Sequence, residues 1–160
     1  MTKKVVYIDM DGVIVDLGAN INNWFNKHPD LHKKYKQNPD HIPGIFRNPP
    51  PIKGAIEAVN ILACSGKYEL YIATSVPWEN SESYSDKKHW VENHFGKLFH
   101  KRIFSRHSKN MLIGDYLIDD RKKNGAIEFR GELLRFGFDW ENDNKPNEYP
   151  TWEAILEKLL

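Results

Sequence analysis

Residues 4–16, KVVYIDMDGVIVD, carry the reading from which the fold follows. An apolar run from Val5 to Ile8 ends abruptly in two carboxylates one residue apart, Asp9 and Asp11, with Gly12 next. Val, Ile and Tyr favour strand, and so short a run bounded by a turn signal reads as a buried parallel strand. In extended chain, residues i and i+2 point to the same side. Both carboxylates are therefore expected to face one site at the carboxyl end of a central strand, where open α/β sheets bind their ligands. Two buried carboxylates repel each other, and a bound cation would compensate them. Taken alone, the four residues are equally open to reading as a solvated acidic turn.

After Asp16 the pattern changes. Ile21, Trp24 and Phe25 recur at helical spacing between Leu17 and Lys27, and His28-Pro29 closes that helix. Asp30 to Gln37 reads as a second short helix capped by Asp30. Pro39, Pro43, Gly44 and the run Pro49-Pro50-Pro51 exclude regular helix or central strand. Residues 17–50 are thus expected to form a small inserted module, with 1–16 and 51–160 as the core.

The remainder alternates. Helices are expected over Gly54 to Cys64, Ser85 to Phe95 and Thr151 to Leu160, with a short one over Lys122 to Phe129. The first is read as turning Ile56, Val59, Ile61, Leu62 and Ala63 toward the core. Strands are expected over Tyr68 to Ala73, Lys101 to Phe104, Tyr116 to Ile118 and Glu132 to Phe136, with one helical turn at Ser108 to Leu112. Residues 139–150 read as a loop. Such alternation implies an α/β fold with a doubly wound parallel sheet.

Three of these strands end in polar residues that a strand does not need: Asp9-Met10-Asp11, Thr74-Ser75 and Asp119-Asp120-Arg121. Parallel strands place all three ends along one edge. Lys109 precedes Asp119 in the connection leading to that strand. Nucleophile, acid–base carboxylate, hydroxyl and backbone donors, a cation and hard-metal ligands are all present, which is the inventory of a phosphoryl-transfer site. Singly, Thr74-Ser75 reads equally as helix-capping residues, Lys109 as a solvated lysine and Asp119-Asp120 as a strand-end turn; the joint order favours chemistry.

The set resembles the haloacid dehalogenase (HAD) superfamily, with Asp9 to Val13, Thr74 or Ser75, Lys109 and Asp119-Asp120 as its four motifs. More narrowly, IATS at 72–75, KKHWVENHFG at 87–96, GDYLIDDR at 114–121 and PPIKGAIEAV at 50–59 are similar to the 5′(3′)-deoxyribonucleotidase family. The resemblance implies a Rossmann-like HAD sheet, with residues 17–50 as a small helical cap after the first strand. It implies an Mg²⁺-dependent phosphomonoesterase that dephosphorylates deoxynucleoside monophosphates. Asp9 would be the nucleophile, Asp11 the general acid–base, and Thr74, Ser75 and Lys109 the phosphate ligands. Mg²⁺ would be held by Asp9, the backbone carbonyl of Asp11, Asp120 directly and Asp119 through water. An aspartate at position 11 favours phosphomonoester over halide chemistry, because only an alkoxide leaving group needs a proton. Departure lies in the cap, which is shorter than in the family's animal members.

For the substrate pocket, Phe46 is expected as an apolar wall, while Trp24 and Phe25 are expected to form the module's own core. Lys88 and His107 are the weaker candidates to reach the phosphate, and Arg121 to pair with a metal carboxylate. His28 and His32 are excluded as a metal pair by Pro29 between them.

Bulk properties bound the alternatives. The 160 residues fit one domain, with 40% hydrophobic and 28% charged residues. A net charge of +1 gives no general case for polymeric nucleic acid or a membrane surface as partner. No apolar run approaches the ~18 residues of a spanning helix. Only four apolar residues precede Asp9 after Lys3 and Lys4, which does not read as a signal peptide. The single cysteine, Cys64, fits a reducing compartment, so a cytoplasmic monomer or homodimer is expected. A HAD phosphatase for another small phosphoester such as a sugar phosphate, and an inactive binding module on the same fold, are the competing readings.

Overall fold

The computed structural model describes residues 2–139 and 141–160. Five parallel strands form one sheet: β1 (Lys4–Ile8), β2 (Tyr68–Thr74), β3 (Ile103–Ser105), β4 (Tyr116–Asp119) and β5 (Glu132–Arg135). Their order is β3-β2-β1-β4-β5, so β1 is central. Ile8 pairs with Ile72 on one side and Ile118 on the other, which brings three strand ends level. The chain moves outward from β1 to β3 and then crosses back to the far side of β1. That reversal opens a crevice beside the carboxyl end of β1, the expected ligand position.

The sheet's two faces are covered differently. Val6, Ile8, Leu70, Ile72, Ile118 and Leu134 face one large cluster. The buried sides of α3 (Ala55–Cys64), α4 (Glu82–Phe95) and α5 (Trp152–Leu159) all join it. Tyr7, Ala73 and Leu117 face the other way and meet Leu112, Ala126 and Phe129.

The expected helix over Lys122 to Phe129 is instead a run of turns. Asn124 and Gly125 both adopt positive φ, at 56° and 74°, which a right-handed helix does not allow. A side chain at residue 125 would meet Asn110, its Cβ lying 2.5 Å from Asn110 Oδ1. In exchange, the Asn124 carbonyl accepts from the Lys109 amide at 2.8 Å and anchors that lysine's backbone.

Other expectations shift in phase or length. On α3 the buried residues are Ala55, Ala58, Val59 and Leu62, while Ile61 is 46% exposed. Those four positions make one stripe at helical spacing, and Ile61 falls outside it. The expected loop at 139–150 contains a short antiparallel pair, Phe138–Asp139 (β6) with Lys145–Pro146 (β7); Trp140 lies outside the described residues. Ser108 to Leu112 narrows to a 3₁₀ turn over Lys109–Met111. Asp30 makes no side-chain cap; a 3₁₀ turn at Pro29–Leu31 leads into α2 (His32–Tyr35).

Between Asp16 and Pro50 the chain forms α1 (Leu17–Lys27), α2 and two 3₁₀ turns. Asp16 caps α1 by accepting from the Ala19 amide. The segment has its own apolar cluster of Ile42, Ile45 and Phe46, with Leu17, Ile21, Trp24, Phe25 and Tyr35 packed against it. Its entry and exit lie side by side, the Asp16 amide donating to the Pro50 carbonyl at 2.8 Å. It is tied to α4 and the turn before it: Asn80 donates to the carbonyls of Asp40 and Ile42, Trp90 Nε1 to that of Pro49, and Arg47 pairs with Asp86.

Candidate active site

The site is built where β1, β2 and β4 end. After Ile8 the chain turns sharply: the amides of Val13, Ile14 and Val15 converge on the Met10 carbonyl. The Trp152 indole of α5 donates to the Val13 carbonyl at 2.9 Å and fixes the turn from behind. Gly12 takes φ +80°, and a Cβ there would lie 2.4 Å from Asp120 Oδ2. Only glycine lets β1's loop approach β4's carboxylate so closely.

Lys109 sits between two carboxylates, its Nζ 2.9 Å from Asp9 Oδ1 and 2.5 Å from Asp119 Oδ2. All three groups are buried. Burial opposes the lysine's charge, but Asp9 and Asp119 outweigh it and hold the ammonium above its ordinary range. The other Asp119 oxygen accepts from the Arg121 amide at 2.9 Å. Asp119 thus has both oxygens engaged.

Asp120 differs. Its Oδ1 is buried with no hydrogen-bond partner among the described residues, and its Oδ2 is 3.9 Å from the Arg121 guanidinium. Its backbone carbonyl accepts from Arg135 and Asn147, which hold the β4 end in place. Burial, then the charges of Asp9 and Asp119, push its carboxyl up to about 8. Burial, then Asp9, push Asp119 up to about 6. Asp9, Asp119 and Asp120 each offer an oxygen within 4.8 Å of the others. An all-oxygen cluster with an orphaned buried carboxylate oxygen fits a hard divalent cation.

Asp11 lies on the opposite side. Its Oδ2 accepts from Lys87 Nζ at 2.6 Å, and its Oδ1 is buried and unpartnered among the described residues. Burial pushes its carboxyl up against the pull of Lys87, and Asp9 adds to the rise. Thr74, at the end of β2, is buried, and its hydroxyl accepts from the same Lys87 at 2.9 Å. Ser75 follows, its hydroxyl donating to the Arg106 carbonyl.

Asp9, Asp11, Ser75, Lys109 and Asp119 open into a cavity of about 510 Å³, within the size range of small-molecule sites. Its walls include Leu17, Ile21, Gln37, Asp40 and Phe46 from the inserted segment, with His107, Arg121 and Lys123 from the core. Phe46 and His107 both line this cavity. Trp24 and Phe25 belong to the segment's own core, where the His28 ring lies tilted against Trp24 and the His32 ring meets Phe25 edge-on.

Lys88 is placed otherwise. It points to solvent and pairs with Glu92 at 2.8 Å, one turn along α4. Its neighbour Lys87 is the lysine that enters the site. The signal was present in the helix phase: Lys87 precedes Trp90 and Val91 by three and four residues, on their buried stripe, whereas Lys88 is rotated off it.

Comparison with known proteins agrees with this geometry. A family model described as 5′ nucleotidase, deoxy (pyrimidine), cytosolic type C protein matches residues 29–146. A protein of Vibrio phage KVP40 named as a 5′(3′)-deoxyribonucleotidase is 40% identical over 160 residues, covering 98% of this chain and 85% of that one. The human cytosolic-type 5′(3′)-deoxyribonucleotidase is 28% identical over 176 residues, covering 94% of this chain and 78% of its own. Among solved structures, the HAD-hydrolase YfnB of Bacillus subtilis, solved bound to magnesium, aligns over 99% of both chains with a TM-score of 0.60 at 14% identity, a likeness of fold.

Proposed function

Because the chain belongs to the 5′(3′)-deoxyribonucleotidase family of HAD hydrolases, we propose that this phosphoric monoester hydrolase removes phosphate from deoxynucleoside monophosphates, requires Mg²⁺ and works through an aspartyl-phosphate on Asp9. One observation carries the mechanism. The Asp9 carboxylate is held by Lys109 where β1 ends, and Asp11 offers a free oxygen two residues on.

In the first half-reaction an Asp9 oxygen bonds to phosphorus as the bond to the leaving alkoxide breaks, and Asp11 gives that alkoxide a proton. In the second, water attacks the phosphorus, its proton passes to Asp11, and Asp9 leaves as a carboxylate with inorganic phosphate as product. The raised Asp11 carboxyl suits a group that must begin protonated. Thr74 and the Ser75 amide would orient the phosphoryl oxygens, and Lys109 would neutralise them as a point charge. Mg²⁺ would be held by Asp9, Asp120 and the Asp11 carbonyl, with Asp119 acting through water, and it would supply charge neutralisation at the phosphoryl oxygens.

Phosphate release from a panel of deoxynucleotides, ribonucleotides and sugar phosphates, with Mg²⁺ and with EDTA, tests this reading. Turnover of nucleotides only with Mg²⁺ is expected. Best turnover on a sugar phosphate would displace the nucleotide substrate, and full activity in EDTA would displace the metal.

A further inference from the structure

Lys87 is a buried cation that the mechanism above leaves without a role. Its ammonium has three N–H donors and no acceptor. All three are spent on protein: Asp11 Oδ2 at 2.6 Å, Thr74 Oγ1 at 2.9 Å and the Ser75 carbonyl at 2.6 Å. Its remaining approach is covered by the Phe46 ring, whose centroid lies 4.7 Å from Nζ. Lys87 therefore has no donor left for a phosphate, unlike Lys109, whose partners are the carboxylates of the acidic cluster.

The donor count has a consequence for Asp11. An ammonium can only donate, so Oδ2 must accept. When Asp11 is protonated, the proton sits on Oδ1, the buried oxygen with no other partner among the described residues. Thr74 Oγ1 accepts from the same ammonium, and its own hydrogen is directed to the Ser75 carbonyl at 3.3 Å.

We propose that Lys87 is a positioning residue that dedicates Asp11 Oδ1 to proton transfer by occupying Asp11 Oδ2. This rests on the phosphomonoesterase reading but not on a nucleotide substrate. The proton travels from Asp11 Oδ1 to the leaving alkoxide oxygen as the phosphorus–oxygen bond breaks. A proton from the attacking water returns to Oδ1 in the second half-reaction.

A positioning role predicts dependence on the leaving group. Lys87→Met keeps an unbranched stem and removes the ammonium. Single-turnover release of the leaving group is measured with p-nitrophenyl phosphate, dUMP and glycerol 3-phosphate. The nitrophenolate leaves without a proton; the two alkoxides do not. Release from the alkyl esters is expected to fall about 100-fold or more, in the range of lost general-acid catalysis, with less than tenfold loss on the aryl ester. Adding Asp11→Asn to Lys87→Met should then cost less than threefold further on the alkyl esters, because the two residues act as a unit.

Lys87→Leu, which likewise removes every N–H donor, is read in the same way where Lys87→Met does not fold. Equal losses on aryl and alkyl esters in a folded variant would overturn the proposal, as would no loss on either. Turnover of glycerol 3-phosphate without dUMP in the wild type would sink the nucleotide reading, while the aryl–alkyl split still decides the role of Lys87. A wild type that cleaves no phosphate ester overturns both.

Discussion

Gly12 and Asp120 meet across the site so closely that a Cβ on residue 12 would lie 2.4 Å from the Asp120 carboxylate. The contact joins the β1 loop to the end of β4, and φ +80° at Gly12 makes it attainable. Gly12→Ala therefore adds left-handed strain and pushes on the carboxylate whose other oxygen has no partner among the described residues. Turnover is expected to fall at least tenfold and the Mg²⁺ needed for half-maximal activity to rise. A magnesium titration of both proteins measures this; a variant with the wild-type requirement would mean that Asp120 does not hold the metal.

Asp9→Asn removes the proposed nucleophile with almost no change of shape. Phosphate release is expected to drop below one part in a thousand while the circular dichroism spectrum is retained. A variant that keeps a few per cent of wild-type turnover would assign the nucleophile elsewhere. The wild type, quenched in acid during turnover, is expected to carry phosphate on a peptide containing residue 9.

The two adjacent carboxylates should separate by function. Asp119 is engaged by Lys109 and the Arg121 amide, whereas Asp120 Oδ1 is orphaned. Asp120→Ala is expected to raise the Mg²⁺ requirement more than Asp119→Ala does. Asp119→Ala frees Lys109 from one of its two carboxylates, so it is expected to change inhibition by inorganic phosphate more than the metal requirement. Titrations of both variants with Mg²⁺ and with phosphate decide the assignment, and the reversed order would exchange the two roles.

The same carboxylates give the metal-free protein a pH signature. Folding raises Asp119 to about 6 and Asp120 to about 8 from an ordinary 3.8, through burial first and then the charge of Asp9. Between pH 4 and 8 the folded chain holds protons that the unfolded chain has released, so stability falls as pH rises through that window. Lys109 does not offset this, because its raised value preserves its contribution until well above neutrality. In EDTA, Tm is expected to be lower at pH 8 than at pH 5. Saturating Mg²⁺ should raise Tm more at pH 8, and Asp120→Asn should flatten the profile. A Tm in EDTA that climbs from pH 5 to pH 8 would contradict the burial of these groups.

The parts of the site legible in the sequence are those that strand ends display locally. Asp9, Asp11, Thr74 and Asp119 follow directly from where apolar runs stop. Lys87 was hidden because its role depends on the phase of α4 against the inserted segment, and a Lys-Lys pair does not say which member turns inward. The turns at 122–129 were hidden because Asn124 and Gly125 leave helical geometry to meet Asn110 and to hold the Lys109 amide, a demand made by distant residues. The apolar phase of α3 is ambiguous in the sequence because four aliphatic residues, Ile56, Val59, Ile61 and Leu62, offer more than one stripe; packing against the sheet chooses among them.

In the proposed reading, substrate choice falls to the inserted segment. Leu17, Ile21 and Phe46 make an apolar wall in the cavity, and Phe46 also covers the Lys87 ammonium. A ribose 2′-hydroxyl set against that wall would lose water without gaining a partner. One unsatisfied hydroxyl costs about 1–3 kcal/mol, roughly ten- to a hundred-fold in specificity. Deoxyribonucleotides are therefore expected to be hydrolysed faster than ribonucleotides, read as kcat/KM for dUMP over UMP. Phe46→Ala opens the wall to water and should erode that ratio more than it lowers turnover of p-nitrophenyl phosphate, which has no sugar to discriminate. Equal efficiency on dUMP and UMP in the wild type would remove the deoxyribose preference and leave the Asp9 chemistry standing, because the proposed reaction rests on the strand ends and the proposed choice of sugar on the inserted segment.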